Sequence, residues 1–264
     1  MVLELLHGAE NAFAVLDDRD RESPPRPDDE YAHIARDLIG DDRDGLLVVL
    51  PSTTATADLR MRMFNPDGSE AEMCGNGTRC IARYIAERGE RDDLVIETLA
   101  GPVETRVVSR APYLVETKMG VPQVGAPREL QVQNEHFRYV PVSLGNPHVV
   151  IFVVDVDAID LTRLGPAIET HQDFPGGTNV HFARVLDRST LRVRHWERGA
   201  GATRACGTGI VACAAAAVTA GSVFSPVTVH VPGGTLTLTW ERRGEAVLSG
   251  PVEHTGRRVI EYSL

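Results

Sequence analysis

The sequence predicts an α+β fold built from two copies of one unit. Short alternating strands outnumber helical stretches, which favours α+β over a repeated βαβ series. A segment running CGNGTRCIARYIAERG from Cys74 to Gly89 also recurs as CGTGIVACAAAAVTAG from Cys206 to Gly221. The offset, 206 − 74 = 132, is half of the 264 residues, so the chain is expected to be an internal duplication.

The predicted elements follow the hydrophobic periodicity along the chain. Alternation predicts strands around Leu3 and in eight further stretches, and helical periodicity predicts two helices besides those that follow the cysteines. The strands are expected at 46–50, 58–64, 113–119, 149–154, 180–185 and 191–196, within the segment LVIETLAGPVETRVV, which includes 103–108, and within the segment VTVHVPGGTLTLTW. The two helices are expected at 28–40, ending at Gly40, and at 160–170.

A Gly- and Pro-rich stretch at 120–130 lies close to the midpoint and is the predicted domain boundary. We therefore expect an N-terminal half over 1–119 that carries Cys74 and a C-terminal half over 120–254 that carries Cys206. The last strand, about 255–264, is expected to pack back onto the N-terminal half. The polar, proline-rich segment 17–29 is expected to be a surface loop.

Composition excludes several classes of protein. Hydrophobic residues make up 42% and charged residues 24%, as in ordinary globular proteins. The net charge of −10 disfavours a nucleic-acid partner. Apolar runs are too short to span a bilayer, and the N-terminus lacks a secretory pattern, so we expect a cytoplasmic protein without a membrane partner. The sequence does not fix the oligomeric state, and a homodimer is one alternative.

Each recurring motif places a cysteine before a glycine-rich helix start. Free backbone N–H groups and the positive end of the helix dipole favour a thiolate there and also cradle an anion. The pKa of a cysteine at such a position can fall by roughly one to several units, which makes the thiol a usable acid or base. We therefore expect lowered pKa values for the thiols of Cys74 and Cys206.

Neither a zinc site nor chance explains the spacing and the recurrence of the cysteines. Cys74 and Cys80 are six residues apart and Cys206 and Cys213 seven, which does not fit the spacing of structural zinc sites, so no metal is expected. Cys80 and Cys213 come two turns into their helices and are expected to be core residues. A duplicated motif by chance alone is improbable.

Two equivalent acid/base groups suit the removal of a proton from one face of a carbon and its return to the other. That chemistry is racemisation or epimerisation. An amino-acid racemase that uses pyridoxal phosphate needs a lysine for the Schiff base, and Lys118 is the only lysine in the chain. It lies in a predicted strand beside the domain boundary, so a mechanism without cofactors is favoured.

At these motifs the chain resembles the diaminopimelate epimerase family over nearly its whole length. The resemblance implies two pseudo-symmetric, barrel-like units, each a mostly antiparallel sheet around a central helix, with the substrate in a cleft between them. It also implies interconversion of LL- and meso-diaminopimelate in the biosynthesis of lysine and peptidoglycan precursors. The matching segments are HGAENAF at 7–13, FNPDGSEAEMCGNGTRC at 64–80, LGNPHVVIF at 144–152, FPGGTNVHF at 174–182 and ERGAGATRACGTG at 197–209.

The family's functional residues carry over by position. Cys74 and Cys206 become the two acid/base thiols, and His148 and Glu197 are expected to tune or orient them. The residues expected to hold the reacting carboxylate are Gly75, Asn76, Gly207 and Thr208. Those expected to bind the rest of the substrate are Asn11, Asn65, Asn146, Asn179, Glu197 and Arg198.

Two positions depart from the family pattern. Ala12 stands where the family usually has Asp, and Ala202 where it commonly has Glu. Both support substrate-binding loops and leave the two-thiol chemistry intact. Three alternatives stay open: a related racemase of another amino acid, an isomerase of the phenazine-biosynthesis type, and a thiol redox or ligand-binding protein without turnover.

Overall fold

The computed structural model describes residues 1–20, 26–40 and 42–261, which form four helices and nineteen strands. No helix in these residues is long and apolar enough to cross a membrane. The helices are α1 Asp28–Asp37, α2 Gly75–Glu87, α3 Leu161–Glu169 and α4 Gly207–Thr219. The strands are β1 Val2–Gly8, β2 Asn11–Asp17, β3 Gly45–Leu50, β4 Leu59–Phe64, β5 Glu70–Ala71, β6 Asp93–Thr98, β7 Gly101–Arg110, β8 Tyr113–Lys118, β9 Gln123–Val124, β10 Arg128–Val132, β11 Glu135–Ser143, β12 Pro147–Phe152, β13 Asn179–Val185, β14 Thr190–Glu197, β15 Gly201–Thr203, β16 Val227–Val231, β17 Gly234–Thr239, β18 Val247–Pro251 and β19 Glu253–Val259.

The first compact unit comprises Met1–Lys118 and Gly250–Leu264. Its strands pair in the order β19-β1-β2-β3-β4-β6-β7-β8, antiparallel except for the parallel pairs β2–β3 and β4–β6. Helix α2 packs against β1, β2, β3, β4, β6, β7 and β8, so the sheet curls around it. Helix α1 packs separately on β3 and β4.

The second compact unit comprises Met119–Ser249. Its strands pair in the order β10-β11-β12-β13-β14-β16-β17-β18, with parallel pairs at β12–β13 and β14–β16. Helix α4 packs against β9, β11, β12, β13, β14, β16 and β17, and α3 packs on β10, β13, β14 and β15. Every residue from Gly209 to Val218 is buried. A helix that is apolar on all sides needs such an enclosure, because no face of it suits water.

The two units have the same topology. In each, a parallel pair joined by the outer helix is followed by a hairpin, a short edge strand, the enclosed helix and a meander. This confirms the predicted α+β class and the duplication seen in the cysteine motifs. The four predicted helices are present, although α1 ends at Asp37 rather than at Gly40.

The strands that the sequence did not predict have physical reasons for being missed. Four consecutive residues of β2 are buried, so the strand shows no polar alternation. In β11 the pattern is interrupted by Pro141 and by exposed polar residues. The unit boundaries fall at Lys118 and Ser249, and β19 pairs with β1. Residues 21–25 of the predicted surface loop and 262–264 of the predicted last strand lie outside the described residues.

Candidate active site

Cys74 is the N-cap residue of α2. Its backbone is extended (φ −140°, ψ 114°), and its carbonyl accepts the first helical hydrogen bond, from the Thr78 N–H at 2.9 Å. The Gly77 N–H points at the Cys74 sulfur, with 3.4 Å between nitrogen and sulfur. The thiol therefore occupies the position where a helix start stabilises negative charge.

Asn11 and Asn76 join this thiol in a hydrogen-bonded group. The Asn11 Oδ1 accepts from the Cys74 thiol at 3.7 Å and from the Asn76 Nδ2 at 3.3 Å. Asn11 follows a two-residue turn in which Ala9 and Glu10 both have positive φ, 53° and 60°. Such a turn fits the twist of a hairpin but is strained for residues other than glycine, Asn or Asp, and strain of this kind concentrates at functional sites.

Cys206 is the matching N-cap of α4, with φ −117° and ψ 111°. The Gly209 N–H points at its sulfur at 3.4 Å, and the Thr208 Oγ1 lies 3.6 Å away. Cys206 is more enclosed than Cys74, with only 4% of the residue exposed. The two thiols share a backbone geometry but not a solvent environment.

The expectation of a lowered pKa is wrong for Cys206. Burial raises the pKa of its thiol well above the usual value, and the charge of the Glu197 carboxylate and its hydrogen bond to the thiol raise it further. The Thr208 hydroxyl and the Gly209 N–H act in the opposite direction but do not prevail. The helix start alone therefore does not set the protonation of this cysteine, and Cys206 is a protonated thiol at neutral pH.

Replacing Glu197 by Gln should make Cys206 more reactive. The change removes the negative charge that disfavours the thiolate, so the thiol pKa falls and the thiolate fraction rises about tenfold for each pKa unit. The measurement is the rate of Cys206 alkylation by iodoacetamide at pH 8, mapped by peptide mass spectrometry. Glu169→Gln is the matched control, because Glu169 contacts Trp196 and Gly199 instead of the thiol. An unchanged alkylation rate in Glu197→Gln would contradict the assigned effect.

Arg198 and Asn179 are held together beside Glu197. The Asn179 Oδ1 accepts from the Arg198 backbone N–H at 3.1 Å, and the Asn179 Nδ2 donates to the Pro147 carbonyl at 2.9 Å. The Arg198 guanidinium donates to the Gly176 carbonyl at 3.0 Å and has no carboxylate partner among the described residues. Its remaining N–H groups can therefore receive an external carboxylate.

His148 belongs to a chain of three buried histidines rather than to a thiol. Its Nε2 lies 2.9 Å from the Asn146 Oδ1, and its Nδ1 lies 2.8 Å from the His181 Nε2. The His181 Nδ1 in turn lies 2.8 Å from the His195 Nδ1. Both ring nitrogens of His148 are thus occupied, so any effect of His148 on a thiol is indirect. His181 lies directly under α4, since a Cβ added at Gly209 would come within 2.4 Å of the His181 ring.

The other predicted residues fall into two groups. Gly75 and Asn76 stand in the first turn of α2, as Gly207 and Thr208 do in α4. Asn65 instead makes the turn between β4 and β5, where its backbone and side chain bond to Ser69. Cys80 and Cys213 are fully buried, which confirms them as core residues.

The two departures from the family pattern lie in strands. Ala12 stands in β2, and its backbone N–H donates to the Asp44 carboxylate at 2.6 Å. Ala202 stands in β15, opposite Trp196. At position 12, where the family usually has Asp, the carboxylate of Asp44 therefore contacts the backbone instead.

Known proteins match this chain over most of its length. The family model described as diaminopimelate epimerase matches residues 5–125 and 140–255. The diaminopimelate epimerase of Desulfitobacterium hafniense is 41% identical, covering 98% of both chains, and that of Moorella thermoacetica is 42% identical, covering 89% of this chain and 90% of the other. The diaminopimelate epimerase of Pelotomaculum thermopropionicum is 45% identical over 80% of each chain.

Solved structures share the fold at low sequence identity. A PhzF-family phenazine biosynthesis protein from Bacillus anthracis has a TM-score of 0.73 at 18% identity, covering 98% of both chains. A probable proline racemase from Agrobacterium radiobacter has a TM-score of 0.71 at 15% identity, covering 99% of this chain and 93% of the other. These likenesses concern the fold alone, whereas the family follows from the sequence matches: the chain belongs to the diaminopimelate epimerase family of isomerases.

Proposed function

We propose that this chain interconverts LL- and meso-diaminopimelate by transferring protons at Cα between two thiols, without a cofactor. The observation that carries the proposal is the repeated N-cap cysteine. Each unit encloses one helix, and each enclosed helix begins with a cysteine whose sulfur faces the backbone N–H three residues later. A two-base reaction on one carbon requires two such acid/base groups, and the proposal assigns one thiol to each face.

The two thiols are proposed to begin the reaction in different protonation states, one as the acid and the other as the base. Cys206 is held as a thiol by burial and by Glu197, so it is the acid that returns a proton to Cα. Cys74 is then the base that removes the proton from the opposite face. After one turnover the roles are exchanged, and the reverse reaction begins from that state. No group other than the two sulfurs needs to carry the transferred proton.

The remaining polar groups are proposed to bind the substrate. The N–H groups at the starts of α2 and α4 stabilise the carboxylate beside the carbanion, and each well-placed donor of this type contributes about 3 kcal/mol to transition-state stabilisation. The distal amino acid group of the substrate carries a second carboxylate and a second ammonium. Arg198 and Glu197 are proposed to pair with these two charges. The asparagines proposed to complete the site are Asn11, Asn65, Asn146 and Asn179.

Replacing Arg198 by Ala should weaken recognition of the distal carboxylate. The variant loses a charge-assisted contact worth about 1.5 to 3 kcal/mol, which corresponds to a decrease of more than about tenfold in kcat/KM. Steady-state kinetics with LL-diaminopimelate measure the effect, and Arg188→Ala, which removes an exposed arginine stacked on Phe224, is the control. Unchanged kinetics in Arg198→Ala would remove this residue from the substrate site.

The proposed function is tested by an assay of purified protein with LL-diaminopimelate and no added cofactor. We expect meso-diaminopimelate to accumulate until the two isomers reach equilibrium. A panel of lysine, histidine, proline and glutamate should give no racemisation, because these substrates lack a distal amino acid group. Turnover of a panel member in place of diaminopimelate would identify a related racemase and contradict the proposal.

The cellular setting is inferred from the chemistry of the site. All four cysteines are free thiols, and the mechanism requires Cys74 and Cys206 to stay reduced, which the cytosol ensures. The net charge of −10 supports a small-molecule substrate rather than nucleic acid. A homodimer is the proposed oligomeric state, which light scattering after size-exclusion chromatography measures directly.

A further inference from the structure

Arg79 is a fully buried arginine without a carboxylate partner among the described residues. It is the fifth residue of α2, and none of its surface is exposed. Its Nη1 donates to the Gly75 carbonyl at 3.3 Å, and its Nη2 donates to the Asn76 Oδ1. Its Nε is buried and has no hydrogen-bond partner. Its two hydrogen-bond acceptors among the described residues are therefore both neutral.

The fold does not require a cation at this position. Arg79 comes five residues after Cys74, and the residue five after Cys206 in the duplicated motif is Val211. Val211 is also fully buried in its enclosed helix. The same architecture thus forms around an aliphatic side chain in the second unit. Burying an unpaired charge is unfavourable for folding, so the arginine needs a reason other than packing.

The hydrogen bonds of Arg79 lead to the candidate site. By donating to the Asn76 Oδ1, the guanidinium fixes the amide so that its Nδ2 faces Asn11, whose Oδ1 also accepts from the Cys74 thiol. A Cβ added at Gly8 would lie 3.2 Å from the Asn76 carbonyl and 3.6 Å from the Arg79 Nη2, so the glycine lets β1 come close to this group. Burial lowers the pKa of Arg79, and negative charge on the neighbouring Cys80 and Cys74 would act in the opposite direction.

We propose that Arg79 is the positioning residue of the first half of the site: it orients Asn76 and supplies the positive charge that favours the Cys74 thiolate and a bound carboxylate. In the second unit Val211 stands at the equivalent position, and the Glu197 carboxylate contacts the Cys206 thiol. The duplicated motif thus has unequal electrostatics around its two sulfurs. The part of this proposal that concerns a bound carboxylate rests on the proposed function, and the part that concerns the thiol does not.

The test replaces Arg79 with the residue of the other unit. In Arg79→Val the alkylation rate of Cys74 by iodoacetamide at pH 7 should fall by about tenfold, equivalent to one unit of thiol pKa, and that of Cys206 should stay unchanged. The whole pH profile of Cys74 alkylation should move to higher pH. Arg79→Lys keeps the positive charge but loses the forked guanidinium. In this variant the pH profile of Cys74 alkylation should be unchanged, whereas kcat should fall because Asn76 is no longer oriented. General damage to the fold would instead alter both cysteines.

The rate of Cys74 alkylation tests the role of Arg79 independently of the proposed function. Alkylation needs no substrate, so a shifted Cys74 profile supports the thiol role of Arg79 even if the substrate is another amino acid. An unshifted profile in Arg79→Val, with kcat/KM within about twofold of the unchanged chain, would overturn the proposal. If Arg79→Val does not fold, Arg79→Gln provides the same test with a polar side chain, and an unshifted Cys74 profile there overturns the proposal equally.

Discussion

Replacing Cys74 or Cys206 by alanine should lower kcat by about 10²-fold to 10⁴-fold, which is the contribution of one positioned acid or base. Each substitution removes the only group proposed to act on its face of Cα, so both directions of the reaction should be slowed. The backbone at both positions is extended and alanine adopts it readily, so the fold should persist. Circular dichroism and thermal unfolding establish that persistence, and an assay of both reaction directions measures the loss.

Cys80 and Cys213 provide matched controls within the same two helices. Both are fully buried, and burial raises the pKa of the Cys80 thiol to about 12, so this thiol stays protonated at neutral pH. Cys80→Ala and Cys213→Ala should keep kcat within about twofold while losing about 1 kcal/mol of stability through lost packing. Equal loss of activity in all four variants would show that any substitution in these helices impairs the enzyme, and it would contradict a specific role of the two N-cap thiols.

Mild acid should destabilise the protein through the buried histidine chain. Burial lowers the pKa of His148 to about 4 and that of His195 to about 3, and it also lowers that of His181. In the unfolded chain these histidines bind protons near their usual pKa of about 6.5, whereas the folded chain does not. The stability they contribute is therefore complete above pH 6.5 and is lost as the pH falls towards 4.

The expected loss is about 1.4 kcal/mol per pH unit for each histidine, or about 4 kcal/mol per unit for the three together. Since typical domains are stable by about 5 to 15 kcal/mol, unfolding should occur between about pH 5 and pH 4. The measurement compares the change in Tm between pH 7.5 and pH 5.5 for the unchanged chain and for His195→Asn. The variant should lose less stability on acidification, and the exposed control His136→Asn should behave like the unchanged chain. A Tm that does not depend on pH over this interval would contradict the prediction.

The neutral histidines also form a consistent hydrogen-bonded series. If His148 donates from Nε2 to Asn146, its Nδ1 accepts from the His181 Nε2, and the His181 Nδ1 accepts from the His195 Nδ1. Each ring then carries one proton, and the His195 Nε2 remains a buried acceptor without a partner among the described residues. A further proton on His148 or His181 would place two N–H groups against each other, and one on His195 would leave a charged N–H group buried without an acceptor. This geometry explains why protonation opposes folding.

The duplication and the two N-cap cysteines could be predicted from sequence because they depend on local chemistry. In each copy the Cys-Gly-x-Gly motif is followed directly by a stretch with helical character, and its repetition at an offset of 132 residues indicates the two units. The all-apolar stretch after Cys206 likewise indicates an enclosed helix. Local patterns of this kind do not depend on which strands become neighbours.

The histidine chain and the role of Arg79 could not be predicted in the same way. His181 and His195 meet because they are directly opposite each other in the β13–β14 pair, a register that neither strand's own pattern determines. Arg79 has the charge of a surface residue and gives no sign in the sequence that it is buried. The raised pKa of Cys206 similarly depends on its burial and on Glu197, whose approach to the thiol follows from the folding of β14 and not from the motif. Sequence thus predicts the elements that carry the site better than the contacts that tune it.

The two-thiol mechanism is tested most directly by the isotope content of product and residual substrate in D2O. Starting from one stereoisomer at low conversion, the mechanism predicts product that carries deuterium at the inverted carbon, because the returning proton comes from a thiol equilibrated with solvent. Recovered substrate should stay largely protonated, since the thiol that removes its proton is not the one that returns it. Mass spectrometry in both reaction directions gives these contents. Product that mostly retains the original hydrogen would show a single base serving both faces and would contradict the two-thiol mechanism.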